Sequence, residues 1–289
     1  MKRALLLTNP YARRGEATQA EVIQTLQDLG FDLVATFAES PQFFADRIRE
    51  YQHQVDMVVI GSGDGAVNAA IEGLLDTQLP LGLVPLGTAN NLARTLGVPQ
   101  SLSGACETIA QGHLQKIDLG WINGRYFLNV AGIGLSAHVN QQVDKGFKRR
   151  WGVIAYVITA LRLILKQRRF WAEIHCQGQT LSVRTYQITI CNGRYYGSGL
   201  KVAADAAIND QRLDLCSLEI QHWWQPFLLL PALVHGEYAT GRGIRTLQGP
   251  EIEITTRKPY PIDTDGEITT VTPARLKVIP EAIAVFAPR

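Results

Sequence analysis

The sequence predicts an α/β protein in two parts: an N-terminal α/β domain on a parallel sheet, then a C-terminal β-rich, sandwich-like domain. Three observations carry that prediction. Through about Ile122, short apolar runs alternate with stretches whose apolar residues recur at helical spacing. From about Trp121 the rhythm changes to strand-like alternation broken by turn residues. The three unusual loops of the first part, TNPYARRG, GSGDGA and PLGTANN, each follow a strand-like run.

In the first part RALLLTN, DLVATFA, DMVVIG and LGLVPLG read as strands, and ATQAEVIQTLQDLG, SPQFFADRIREY, AVNAAIEGLLD and NNLARTLG as helices. Gly30 falls where a helix C-cap belongs, and Ser40-Pro41 suit an N-cap and first helical position. Such repetition implies a parallel sheet covered on both faces. Ligands of these sheets bind at the carboxyl ends of the strands, so all three loops are expected on that edge. In the second part RYFLNVAGI, FWAEIHCQG, TLSVRTYQITICNG, LDLCSLEI, IRTLQG, EIEITTRK and ARLKVIP are strand-like. Two helical stretches, about 152–167 and 223–238, interrupt them. The division is therefore residues 1–122 and 123–280, with AIAVFAPR (about 281–289) a candidate strand returning to the first domain.

Composition narrows the function. The 289 residues are 46% hydrophobic with a formal net charge of +2, which suits a soluble globular protein and argues against bulk nucleic-acid binding. Cys106, Cys176, Cys191 and Cys216 lie far apart with no CxxC spacing, the pattern of reduced thiols in a cytoplasmic protein. The opening MKRALLL is too short for a signal peptide. The longest apolar stretch, WGVIAYVITALRLIL, carries Arg162 and falls short of the roughly 18 residues needed to span a bilayer. The expected chain is cytoplasmic, or peripheral at the inner face of a membrane.

In GSGDGA the glycines let the backbone approach a ligand, and the following helix start favours an anion. Neither GxxxxGK[ST] nor GxGxxG fits. Asp64 is the unusual residue. A carboxylate beside phosphates repels them unless a divalent cation, or a hydroxyl to be activated, lies between. That points to phosphoryl transfer; the alternative is an Asp that caps the helix beginning near Ala66. A second loop repeats the arrangement, with Gly87 and Thr88 ahead of a helix carrying Asn90, Asn91 and Arg94. An N-cap threonine explains one such loop but not two in succession.

At these residues the sequence resembles the bacterial YegS-like lipid kinases of the diacylglycerol kinase catalytic superfamily, which includes sphingosine kinases. NPYARRG, SGDGAVNA, PLGTANN, KIDLG with Asp118, NGRYYGSGLKVAADAAINDQRLDL and DTDGE stand in the family's order over nearly the whole chain. The departures are Arg13 near a usual Gly, Ala66 for Thr, Ala69 for Glu, Asn91 for Asp, Ala204 for Pro and Gln211 for Gly.

The resemblance implies transfer of the γ-phosphoryl group of ATP to the hydroxyl of diacylglycerol or a related lipid, with the nucleotide in the cleft between the domains. By motif position, Asn9, Pro10, Tyr11, Ala12 and Arg13 would surround the nucleotide together with Gly63, Asp64, Gly65, Ala66, Val67, Asn68, Ala69 and Thr88. Arg13 or Arg14 would balance phosphate charge. Glu267 would accept the proton of the attacking hydroxyl, with Asp64 as partner acid. In the sphingosine-kinase branch the acid matching Asp64 is treated as the base, so that choice stays open. Against this stands a solvated Asp-Gly hairpin in which Asp263, Asp265 and Glu267 simply face water. Asp210 with the carbonyls of Ala207 and Arg212 would hold a structural Mg2+, or Ca2+; an ordinary Asn-Asp turn is the alternative.

Asn91 and Ala69 lower the negative charge of the site and admit a weaker kinase, or a nucleotide-responsive lipid-binding protein. NAD kinase, which shares a GGDG-type loop, is a third reading. For the lipid partner the candidates are HWWQPFLLLPALVHGEY and the apolar stretch flanked by Lys148–Arg150 and Lys166–Arg169, either of which could equally pack on a sheet. A homo-oligomer is compatible with the sequence.

Overall fold

Four parallel strands, apolar on both faces, form the centre of the first of two compact units into which the chain divides, residues 1–118 with 280–289. The structure is a computed structural model and describes residues 2–8, 15–37, 43–135, 168–196, 200–201, 207–220 and 243–289. In chain order the first unit runs β1 (Lys2–Thr8), α1 (Gly15–Asp28), β2 (Phe31–Phe37), α2 (Phe43–Tyr51), β3 (Met57–Ser62), α3 (Asp64–Thr77), β4 (Leu81–Pro85), α4 (Asn91–Thr95), α5 (Leu102–Gln111) and the start of β5 (His113–Ile122). The strand order is β2-β1-β3-β4, all parallel, and the last strand of the chain joins β4 through Val285 opposite Leu81. The connections that leave β1 and β3 therefore run in opposite directions along the sheet, so the gap between the carboxyl ends of β1 and β3 is a topological switch point.

Alternation along β1 sends Ala4 and Leu6 to one face and Leu5 and Leu7 to the other, all fully buried. The first face packs with Val22 and Leu26 of α1 and Cys106 and Ile109 of α5. The second is covered by α2 and α3, which bury Phe44, Ile48, Val67 and Ile71. These two helices approach so closely that a Cβ on Gly73 would lie 2.7 Å from the carbonyl oxygen of Ala45. Gly73→Ala is expected to lower stability by about 1–3 kcal/mol despite alanine's better helix propensity. Urea titration checks it: the midpoint falls while the slope is unchanged.

The second unit, residues 119–279, is a sandwich. Its strands are the end of β5, β6 (Arg125–Phe127), β7 (Val130–Gly134), β8 (Phe170–Cys176), β9 (Gln179–Thr185), β10 (Gln187–Cys191), β11 (Tyr195–Tyr196), β12 (Leu200–Lys201), β13 (Leu213–Leu218), β14 (Ile244–Gly249), β15 (Glu251–Thr256), β16 (Pro261–Thr264), β17 (Glu267–Val271) and the first part of β18 (Ala274–Ala287). One sheet is antiparallel in the order β14-β13-β10-β7-β16-β17. In the other, β15 lies between β8 and β18, with β9 beyond β8. Inner residues of both, such as Ile133, Ile188, Leu215 and Ile262 against Ile174, Val183, Ile254 and Leu276, share one core.

Four of the expected strands differ in extent. RYFLNVAGI is two strands, broken at Leu128-Asn129, and TLSVRTYQITICNG is two strands, broken at Tyr186. ARLKVIP and AIAVFAPR form one long strand, β18. The helices expected at 152–167 and 223–238, with their basic and tryptophan-bearing flanks, lie outside the described residues apart from Arg168 and Arg169.

All four cysteines are free. Burial, with the charges of Glu107 and Glu21, pushes the Cys106 thiol up to about 11, and burial pushes Cys216 up to about 12. Above pH 9, the ordinary value, an unfolded chain gives up thiol protons that the folded one keeps. Stability is therefore expected to fall as pH rises from 9 toward 11–12, and Cys106→Ser with Cys216→Ser should flatten that slope in thermal melts.

Candidate functional site

The loops after β3 and β4 meet at the carboxyl edge of the first unit's sheet. A Cβ on Gly87 would lie 2.5 Å from the Cα of Gly63, and the Leu86 N–H donates to the Ser62 carbonyl at 3.1 Å. Glycine at position 87 permits that approach, and at position 63 a Cβ would already lie 3.1 Å from the Gly87 Cα.

Asp64 joins them further. Gly63, in extended backbone, is the N-cap of α3, and no side chain caps that helix. The Asp64 carboxylate crosses instead to α4: Oδ2 accepts the Asn91 N–H at 2.9 Å and Oδ1 the Leu92 N–H at 3.1 Å, 27 and 28 residues away. The capping alternative thus holds in an altered form, since the capped helix is the one opening the next loop. Asn90, the N-cap of α4 with φ 49°, bonds elsewhere. Its side chain accepts the Gly87 N–H at 2.9 Å and donates to the Gln100 amide oxygen at 3.1 Å.

Of the residues expected around the nucleotide, Gly65 and Thr88 are exposed, and Gly63, Asp64, Asn68 and Ala69 half-buried. The side chains of Ala66 and Val67 are buried, and their N–H groups point to the Gly63 carbonyl in the first turn of α3. A small pocket lined by Ser62, Gly63, Asp64, Val67, Pro85 and Asn90 opens at this edge. Asn9, Pro10, Tyr11, Ala12 and Arg13 lie outside the described residues. Asp118 is buried, and its Oδ1 accepts the Glu281 N–H of β18 at 2.8 Å.

In the second unit, Glu267 opens β17 and is exposed. The solvated-hairpin alternative fails for its neighbours. Asp263 is fully buried, and the half-buried Asp265 accepts the N–H groups of Leu128, Asn129 and Val130 at 2.7, 2.9 and 3.1 Å. Asn192 holds the same segment by its carbonyls, its amide donating to the Leu128 carbonyl at 2.8 Å and its N–H to the Asn129 carbonyl at 2.8 Å. Sequence reasoning assigned Asn192 no role and Asp265 none beyond the turn; the Asp-Gly pair itself was the only local signal.

The expected metal turn closes on itself. The Asp210 N–H donates to the Ala207 carbonyl at 3.3 Å, and the Asp210 carboxylate accepts the Ala207 N–H at 3.3 Å and lies 3.0 Å from Nε of Arg212. A divalent cation requires oxygens converging on one point. Here a guanidinium and backbone N–H groups face the Asp210 carboxylate. Among the described residues no three His, Cys, Asp or Glu side chains cluster to hold a metal ion. Gln211, where the family commonly has glycine, keeps the left-handed backbone glycine would take, with φ 60°.

Comparison with known proteins agrees with this architecture. Residues 3–122 match the diacylglycerol kinase catalytic domain, and residues 129–287 the YegS C-terminal NAD kinase beta sandwich-like domain. The diacylglycerol kinase of Bacillus subtilis (strain 168) is 27% identical over 301 residues, covering 100% of this chain and 97% of that protein. An uncharacterized Synechocystis protein is 28% identical over 304 residues, covering 98% of this chain and 70% of its own. A crystal structure from Bacillus anthracis str. Sterne superposes with a TM-score of 0.86 at 25% identity, over 99% of this chain and 95% of that one. With both domains matched in order and the glycine loops joined as described, the chain belongs to the YegS-like lipid kinase family.

Proposed function

We propose that this chain transfers the γ-phosphoryl group of ATP to the hydroxyl of diacylglycerol or a related lipid. The observation that supports it most is the pair of glycine loops beside the switch point, in backbone contact and clasped by Asp64. The N–H groups of Asp64 and Gly65, which precede the first bond to the Gly63 carbonyl, suit an anion. Gly63, Gly65 and Thr88 admit phosphate oxygens close to the backbone. A divalent cation arriving with the nucleotide, Mg2+ in this proposal, neutralises phosphate charge. Glu267 takes the proton of the acceptor hydroxyl as its oxygen bonds to phosphorus and the bond to the ADP oxygen breaks.

Both carboxylate oxygens of Asp64 already accept backbone N–H groups, which favours Glu267 over Asp64 as the base. Among the described residues no helix is long and apolar enough to cross a membrane. In this reading the acceptor is met peripherally, at the cytoplasmic face.

The test is incubation of the purified protein with γ-labelled ATP, magnesium and a bacterial lipid extract. Label is expected in the organic phase. The sandwich domain's family description includes NAD kinase, so NAD is the control acceptor: label in NADP and none in lipid would replace this reading. Nucleotide binding with no transfer would leave the binding-protein reading that Asn91 and Ala69 motivate.

A further inference from the structure

We propose that Asp265 is a positioning residue, holding the turn that carries Glu267 in a single arrangement. The inference rests on the reading of Glu267 as the base.

Asp265 and Gly266 join β16 to β17, with Thr264 directly opposite Glu267. Their φ angles are 49° and 97°, the pattern of a two-residue turn with both central residues left-handed. Such a turn fixes the register of a hairpin but not its attitude, and β17 is the edge strand of its sheet. Pairing of β16 with β7 ends at Thr264 opposite Ala131, and the Asp265 carboxylate carries the tie one residue further, into the turn itself. It takes the N–H groups of three consecutive residues, Leu128, Asn129 and Val130, at 2.7–3.1 Å, while its own N–H donates to the Val130 carbonyl at 2.8 Å. The turn is thereby tied to the start of β7, an interior strand, across 135 to 137 residues of sequence. Glu267, two residues on, inherits that placement while its side chain stays exposed.

This also accounts for the break between β6 and β7. A continuous strand would turn successive N–H groups to opposite sides; here three successive N–H groups converge on one carboxylate.

Asp265→Asn separates the anchor from the turn. Asn-Gly favours this turn type as well as Asp-Gly does, but the amide turns an NH2 toward backbone donors that need an acceptor. With γ-labelled ATP, magnesium and diacylglycerol in detergent micelles, Asp265→Asn is expected to lower kcat 10- to 100-fold, with the KM for ATP within two-fold. In the Glu267→Gln background the same substitution should change the residual rate less than two-fold, because the anchor acts through Glu267. A wild-type kcat in Asp265→Asn, or equal losses in both backgrounds, overturns the inference and leaves Glu267 standing. Wild-type turnover in Glu267→Gln instead removes the base itself, a distinct result. Should Asp265→Asn be unfolded at the assay temperature, Asp265→Gly carries the same comparison, since glycine suits φ 49°.

Discussion

Glu267→Gln is expected to lower lipid phosphorylation by about 10²- to 10⁴-fold while leaving nucleotide affinity within two-fold. The glutamine keeps the size of the side chain and the backbone of the turn, so the Asp265 anchor is undisturbed. What it removes is the capacity to accept a proton. Single-turnover transfer from labelled ATP measures the chemical step, and equilibrium titration with an ATP analogue measures affinity. Unchanged turnover would remove Glu267 from catalysis. A large loss of affinity would make it a nucleotide contact instead.

The second large effect concerns Asp64. Replacing it with asparagine takes away an anionic acceptor that serves two backbone N–H groups at the start of α4. Hydrogen bonds to a charged group contribute roughly 1.5–3 kcal/mol each, and the amide can replace only one, so a loss of about 3 kcal/mol is expected. That corresponds to a fall in Tm of roughly 6–12 °C. Because the two loops lose their clasp, nucleotide affinity is expected to fall with it. Thermal denaturation with and without nucleotide separates this from a purely chemical role. A variant with wild-type Tm and affinity but no turnover would make Asp64 a chemical group and not a clasp.

These two carboxylates show how far the sequence reaches. Strands β1, β3 and β4 were legible because residues buried on both faces give continuous apolar runs, as in LLL and MVVI. The motif order carried the family. Helix α5 was missed because LSGACETIAQ has small and polar residues among its few large apolar ones, and β5 because its first half, HLQK, is largely exposed.

The bonding of the acids was not legible, and for a different reason. Asp64 reads locally as a cap for its own helix, and Asp265 as a solvated turn residue, because local pattern compares a side chain only with neighbours a few positions away. Their actual partners lie 27 and more than 130 residues off, brought near by the parallel sheet in one unit and the sandwich in the other. Composition and periodicity therefore determined by themselves that the chain is α/β, then β-rich, with glycine loops at strand ends and acids beside them. Only tertiary structure decided which backbone N–H groups those acids hold, since a hydrogen bond is set by distance and angle and neither is encoded in spacing along the chain.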